Sequence, residues 1–447
     1  MSVTERVYSA LVRRTLETED QMTAESRSNL APNGLRLVLA NSLQSSGDQV
    51  VNASTILPWL FAALGVPPAL TGVLVPIRES GSMLPQAFLT PLVLRVRYRK
   101  WVFVTGAIVQ AAAVAVMAAT AALSEGMIAG LLIVAALAIF ALGRCLCSIS
   151  SKDVQGRTIP KGERGQLNGL ATTAAGLVAI TLGLAIRWFG SNDLPAEELF
   201  WLLVLGVVLW VGVAVVYIGI REPADEIAPQ PVDTADETQS GQTTNWFTQM
   251  ITLLRDDKPF RNFVTVRSLL LVSSLSPPFI VTLSVHSGAS SLTGLGGFII
   301  ASGLAALIGG RLFGRFADRS SKKLMSIGAG VASAIIIVTV ILTALPAFTA
   351  DSWLGNLLFV IAYFAVTLMH TGVRIGRKTY IVDMARGDQR TVYVAVSNSV
   401  LGIVLLIVGG LSSLLALINI IWALLFLAVM GLIGVVAGSR LPEVSQG

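Results

Sequence analysis

Apolar stretches long enough to cross a bilayer recur along the whole chain, and they constrain its fold more than any single motif does. A spanning helix needs about 20 predominantly apolar residues, and about twelve such runs can be read here. They fall at 35–64, 69–94, 101–123, 126–148, 166–188 and 199–220, then at 262–286, 293–316, 324–345, 353–376, 391–414 and 416–438. The runs are continuous and lack the period-two alternation of barrel strands, so helices are expected. Charged residues make up only 13% of the 447, and the mean hydropathy is +0.74, which excludes an ordinary soluble domain. The sequence predicts an all-α integral membrane protein with twelve transmembrane helices in two six-helix, pseudo-symmetric domains.

Lys and Arg set the orientation. Loops after even-numbered spans carry clusters such as Arg95, Arg97, Arg99 and Lys100, or Arg144, Lys152 and Arg157, whereas Arg187 stands alone in the odd-numbered loops. Both termini are expected in the cytoplasm, in a multi-pass protein of the plasma membrane, taken as a bacterial inner membrane. Basic loops facing anionic lipid account for the pI near 9.5 without nucleic acid. The first residues lack the apolar core of a signal peptide. Val3, Val7 and Leu11 recur at helical spacing and suit either a short helix on the membrane surface or a disordered tail.

The expected division is a cytoplasmic segment 1–34, a six-helix domain 35–220, a linker 221–260, a six-helix domain 261–438 and a tail 439–447. The linker begins as a polar, Pro- and acid-containing stretch and ends in Trp246, Phe247, Met250, Ile251 and Leu254, a surface-helix pattern. A shift of about 225 residues superimposes Arg36 on Arg261 and the KGER loop on the RGDQR loop, as an internal repeat would. Spans three, six, nine and twelve have uncharged interiors and read as lipid-facing all round.

The polar groups lie elsewhere. Arg78 and Glu79 stand side by side within the second span, with Ser82 and Gln86 continuing their face. In the first span Asn41, Ser45, Asp48, Asn52 and Thr55 are spaced as one helical face. Ionised groups at this depth cost at least about 2.5 kcal/mol each, so they face protein or a wet cavity. With two acids and one Arg, one carboxylate lacks a strong partner. The set either fixes two helices or leaves one carboxylate, Asp48 first and Glu79 second, to carry a proton. His370 reads as a pH-sensitive cavity group or a packed histidine, and Arg267 as a snorkelling cation. Pro277 and Pro278 predict a bend in the seventh span. Gly169, Gly176 and Gly183 on span five suit close helix contact. Cys145 and Cys147 are assigned no role, and neither a metal-ligand cluster nor a cofactor loop is read.

One stretch carries a resemblance. GRFADRSSKK at 314–323 resembles the loop motif of the major facilitator superfamily, with Gly314, Asp318, Arg319, Lys322 and Lys323 matching and Ser321 in place of the second glycine. The corresponding PLVLRVRYRK at 91–100 departs from it, with Pro91 for glycine and Arg95 for the acid. The resemblance implies a secondary transporter working by alternating access, with a central site between two six-helix domains. It implies that Asp318 accepts hydrogen bonds at the start of span eleven and closes a cytoplasmic gate, with Arg374 as partner. Span five lacks the Gly-Pro signature of the superfamily's drug/proton antiporters.

The expected function is a carrier, not an enzyme, for a small organic solute, with a proton or else sodium as coupling ion and the bilayer as its other partner. Efflux of lipophilic compounds, a transporter-like receptor and a lipid-handling protein are the alternatives.

Overall fold

The computed structural model describes residues 3–12, 27–86, 89, 93, 95–160, 163–189, 196–223, 246–287, 292–345, 352–384 and 389–444. Among them are helices and no strands. The chain begins with α1 (Val3–Leu11), then α2 (Leu30–Val50) and α3 (Ile56–Ala63), which together form the first span. The second to sixth spans are α4 (Thr71–Met83), α5 (Arg99–Leu123), α6 (Gly126–Thr158), α7 (Arg164–Phe189) and α8 (Ala196–Ile218). After the linker helix α9 (Trp246–Asp256), the seventh span is divided into α10 (Lys258–Leu269) and α11 (Val272–His286). The eighth and ninth spans form α12 (Leu292–Thr343), which turns at the non-helical Ser320. The last three are α13 (Trp353–Met384), α14 (Gln389–Ile418) and α15 (Ile420–Ser439).

Eight of these segments are long and apolar enough to cross a membrane, and the stretches Gly176–Ile186 and Gly294–Gly309 are shorter apolar helices. The first two spans are not among the eight, because polar residues dilute α2 and α4 is only 13 residues long. Those polar residues face protein, as the cost of exposing them to lipid requires.

Spans three, six, nine and twelve are not lipid-facing all round. Each presents one exposed apolar face, through Val116, Val208, Val338 and Val436, and packs the other, through Met117, Trp210, Ala332 and Leu427. Large rings lock these inner faces: Phe103 stacks on Tyr217, and Phe140 meets Trp210 edge-on at 5.5 Å.

The terminal segment α1 docks rather than lying free. Tyr8 is 1% exposed and donates a 2.5 Å hydrogen bond to Glu163, ahead of α7. Its ring lies on Gly34 of α2, where a Cβ would stand 2.2 Å from Tyr8 Cε2. Val3, Val7 and Leu11 form the opposite, exposed face. In the linker, α9 is helical over Trp246–Asp256, with Ile251 exposed. Residues 224–245 and the KGER and RGDQR residues 161–162 and 385–388 lie outside the described residues.

The two halves meet along α7 against α12 and α4 against α14. The tightest of these contacts lie at the end opposite the termini. There Trp59 of α3 packs on Phe298 of α12 with centroids 6.1 Å apart. Gly72 of α4 meets Ser413 of α14 and Phe279 of α11, and Gly409 of α14 meets Pro76 of α4.

Candidate functional site

Both halves interrupt their first span within the bundle, and the interruptions expose polar groups. In α2 the last helical residue is Val50, and Asn52 Oδ1 accepts the Ser54 N–H at 2.8 Å, tying the turn between α2 and α3. The predicted five-residue face is therefore cut after Asp48. Asn52 reaches the interior, whereas Asn41, Ser45 and Thr55 do not line the central cavity. In the second half the interruption falls at Leu270–Leu271, ahead of Pro277 and Pro278, which both lie inside α11. Neither proline has an N–H to bond the carbonyl four residues back, so the carbonyls of Ser273 and Ser274 lose their helical donors just after that break.

Between these breaks lies a polar cavity of about 260 Å³. The first half lines it with Gln49, Asn52, Ser54, Arg78 and Glu79, and the second with Ser273, Ser274, Ser302, Tyr363, Thr367, His370, Thr371, Arg374 and Arg377. Six of these residues form one face of α13, from Tyr363 through Thr367, His370, Thr371 and Arg374 to Arg377. Arg374 is exposed although it lies about ten residues, or about 15 Å, from the end of α13. Arg374 also lines the cavity, so the cavity is open to solvent at this residue.

Asp48 is not held by Arg78 alone. Arg78 Nη2 lies 3.1 Å from Asp48 Oδ1 and Arg144 Nη1 lies 2.6 Å from Oδ2, with side-chain exposures of 20%, 16% and 32% for Arg78, Asp48 and Arg144. Arg144 stands near the end of the fourth apolar run, where it counts among the loop charges. The helix α6 continues to Thr158 and carries Arg144 into the bundle. The carboxylate left over is Glu79. Among the described residues nothing stands within hydrogen-bond or ion-pair distance of its side chain, although it is close enough to Arg144 and Arg377 to feel their charges. Arg374 and Arg377 likewise have no carboxylate within ion-pair distance among the described residues.

His370 lines the cavity with Nδ1 3.5 Å from Ser273 Oγ. Arg267 is not a snorkelling cation. It is buried, donates to Ser397 Oγ and to Asn398 Oδ1 at 2.9 Å, and ties α10 to α14. Gln86 is partly buried, donates to the Ser82 carbonyl at 2.8 Å and stays out of the cavity.

The loop motif forms the turn at Ser320, with Arg319 and Lys323 exposed and Lys322 partly buried. The surroundings of Gly314 and of the Asp318 side chain lie outside the described residues, so the expected gate contact is not described. Each half does seat an acid at this turn. Glu443 accepts from Ser320 Oγ at 2.5 Å, and in the first half Glu222 accepts from the Lys100 N–H at the start of α5 at 2.9 Å. Arg157 lies 3.7 Å from Glu222 and bonds Asp153 at 2.8 Å, and Arg99 completes the cluster 3.0 Å from Asp153. Burial pushes the Glu222 carboxyl above the usual carboxylate range, against the pull of the Lys100 N–H and Arg157.

Sequence reasoning missed Arg144, Arg377 and the hydroxyl face of α13. The signal for the last was present, because Tyr363, Thr367, His370, Thr371, Arg374 and Arg377 keep helical spacing.

Solved structures share this architecture. A D-xylose–proton symporter superposes with a TM-score of 0.65 at 15% identity, over 92% of this chain and 98% of the other. A nucleoside transporter gives 0.63 at 13%, over 91% and 99%. A POT-family transporter in complex with a thioalcohol-conjugated peptide gives 0.66 at 11%, over 90% and 94%. At these identities the likeness is one of fold. No curated protein matches the sequence. The sequence model of the Major Facilitator Superfamily matches residues 37–350. That match covers more than half of the chain, and with two six-helix halves around a polar cavity it places the protein in the Major Facilitator Superfamily, a family of transporters and not of enzymes.

Proposed function

We propose that the chain is a secondary carrier that moves a small organic solute by alternating access and couples it to protons through Glu79. One observation carries this reading. Glu79 is the one carboxylate lining a cavity at the junction of the two halves, and it has no partner in bonding distance among the described residues. A group held between two arginines, as Asp48 is, gains little freedom to change charge during a cycle. Asp48 instead holds Arg78, which lines the cavity, together with Arg144, which does not. The contacts of Trp59 with Phe298 and of Gly409 with Pro76 close the end opposite the termini, while the cavity is open to solvent at Arg374, as one conformation of such a cycle requires.

The basic loops support a plasma-membrane location, bacterial inner membrane included, with both termini in the cytoplasm. One structural neighbour is named as a proton symporter, which supports the choice of proton over sodium. Polar groups from both halves weigh against efflux of lipophilic compounds.

Purified protein in liposomes, given a pH gradient and a panel of labelled sugars, nucleosides and carboxylic acids, tests the reading. Accumulation of one solute is expected to follow the pH gradient in the wild type. Glu79→Gln is expected to exchange that solute across the bilayer without concentrating it. Gradient-driven accumulation by Glu79→Gln, or accumulation driven by sodium alone, would overturn the assignment.

A further inference from the structure

Resting on the transport reading above, we propose that the solute is a small hydroxylated organic anion, docked on Arg374 and Arg377 when a proton occupies Glu79. The cavity's charges lead there. Arg78, which lines the cavity, and Arg144, which does not, both pair with Asp48. That leaves Arg374 and Arg377 facing the cavity against Glu79, two cations to one acid. The two arginines are three residues apart on one face of α13, and both line the same cavity. Guanidinium forks bind carboxylate and phosphate oxygens in pairs, which makes either acid group suitable. Around them stand hydroxyls from both halves, those of Ser54, Ser273, Ser302, Tyr363 and Thr371 among them, which match a hydroxylated body better than an apolar one.

Coupling follows from competition. With Glu79 ionised, the acid lies near enough to Arg377 to offset its charge, and an incoming anion must displace that interaction. A proton on Glu79 removes the competitor and leaves the pair free. Proton and anion therefore promote each other's binding, and each strengthens the other by the same factor. The charged and titratable groups around Glu79 are Arg78 on its own helix, Asp48 on α2, Arg144 on α6, and His370, Arg374 and Arg377 on α13. The cavity-lining groups of α11, α12 and α14, such as Ser273, Ser302 and Leu401, are uncharged.

The test is a thermal-shift titration of the full chain in detergent with gluconate, glucuronate, malate and glycerol 3-phosphate, against glucose and glycerol. It is run at about pH 5.5 and about pH 8, a difference of about 300-fold in proton concentration. At least one of the acids is expected to stabilise the protein, with an affinity about tenfold or more higher at the lower pH, while the neutral probes do not. Whether carboxylates or the phosphate ester respond identifies the acid group. Arg374→Gln and Arg377→Gln are expected to lose the effect. Arg374→Lys, which keeps the charge without the fork, is expected to retain it in weakened form, guarding against a simple folding defect. Glu79→Gln is expected to bind the acid equally at both pH values, whereas His370→Gln keeps the pH dependence.

Stabilisation by glucose or glycerol as strong as by the acids, no stabilisation by any acid, or unchanged acid binding in the Arg→Gln variants would each overturn the proposal. The transport reading fails separately. Acid binding with no proton-driven flux in liposomes would overturn transport and leave the anion site standing, whereas proton-driven flux of neutral solutes alone would do the reverse.

Discussion

A single methyl group at Gly409 should shift the balance between conformations, and its neighbour supplies the control. A Cβ built on Gly409 stands 2.1 Å from Pro76 Cγ, 3.0 Å from Pro76 Cβ and 3.2 Å from the Gly72 carbonyl oxygen, whereas one on Gly410 meets nothing within 4 Å. Carbon atoms rest at about 3.5–4.0 Å, so α4 and α14 must part by about 1.5 Å at this level to admit Ala. The pyrrolidine ring cannot turn aside, and all three contact atoms belong to a helix of the other half. Such overpacking costs about 1–3 kcal/mol. Because the contact exists only while the end opposite the termini is closed, the cost falls on that state alone and shifts the equilibrium about 5- to 150-fold towards opening. Gly→Ala in a helix interior also brings up to about 1 kcal/mol of intrinsic stability, but Gly410→Ala brings the same amount and no clash. Spin labels at Glu125→Cys and Trp353→Cys, with Cys145 and Cys147 replaced by Ala, report the separation of the halves at that end. Glu125 is exposed beside α6, and Trp353 is 73% exposed at the start of α13. Gly409→Ala should populate longer distances and slow transport, while Gly410→Ala reproduces the parent distribution. Identical distributions for both variants would refute the idea that this contact seals the closed end.

Three other perturbations test separate parts of the structure. Asp48→Asn and Arg144→Gln should each destabilise the protein, and the double variant by less than their sum, with a coupling of about 1 kcal/mol once partial exposure is allowed for. Additive effects in reversible unfolding would remove Arg144 from the Asp48 site. Tyr8→Phe deletes the bond to Glu163 and should cost about 1 kcal/mol locally, visible as faster hydrogen exchange across Val3–Leu11 with the spans unchanged. Exchange as slow as in the wild type would mean that the ring's packing on Gly34 alone holds α1. Burial raises the Glu222 carboxyl, so the folded state holds that proton more tightly than the unfolded chain does. Its stabilising contribution is present at low pH and is lost as pH rises from the ordinary carboxyl range through the raised value. Glu222→Gln should therefore melt higher than the wild type at about pH 8, with the difference closing towards about pH 4. A difference that widens on acidification would contradict the burial argument.

The sequence shows what the bilayer dictates and hides what the cavity dictates. Apolar length marks the spans because lipid offers no other partner to a backbone, so an all-helical membrane fold in two halves was legible from the chain alone. The same criterion ended the fourth span at residue 148 and the tenth at residue 376. It left Arg144 inside a run where it counted as a loop charge and placed Arg377 just beyond the membrane. Both helices continue, because residues facing a wet interior need not be apolar. Periodicity failed in the opposite way on the first span. Asn41, Ser45, Asp48, Asn52 and Thr55 share a face only if the helix is unbroken, and α2 stops at Val50. Val50 and Val51, with Asn52, Ser54 and Thr55, are residues that favour β conformations or bond their own backbone, so a break there was encoded, though weakly. The prolines of span seven announced a disruption but not its place, since the break comes before them.

The repeat itself explains why backbone and chemistry part company. The offset of about 225 residues carries Asp48, Gln49 and Asn52 onto Ser273, Ser274 and Pro277, so the turn after Val50 falls at the proline pair of span seven, about one and a half helical turns past the break at Leu270–Leu271, and each half interrupts its first span. The charges do not follow. Arg78 and Glu79 map to Gly303 and Leu304, and Arg374 and Arg377 map to Ile149 and Lys152. A pair of like-hinged halves can rock about a shared cavity, which calls for equivalent backbones. Recognising a solute whose two ends differ calls for unlike walls. In this chain one wall holds its arginines against Asp48 and offers a single carboxylate, while the other offers unanswered guanidinium groups. Restoring symmetry by an acid beside Arg374, as in Thr371→Glu, should leave the helices in place and abolish binding of any anion that the cavity accepts.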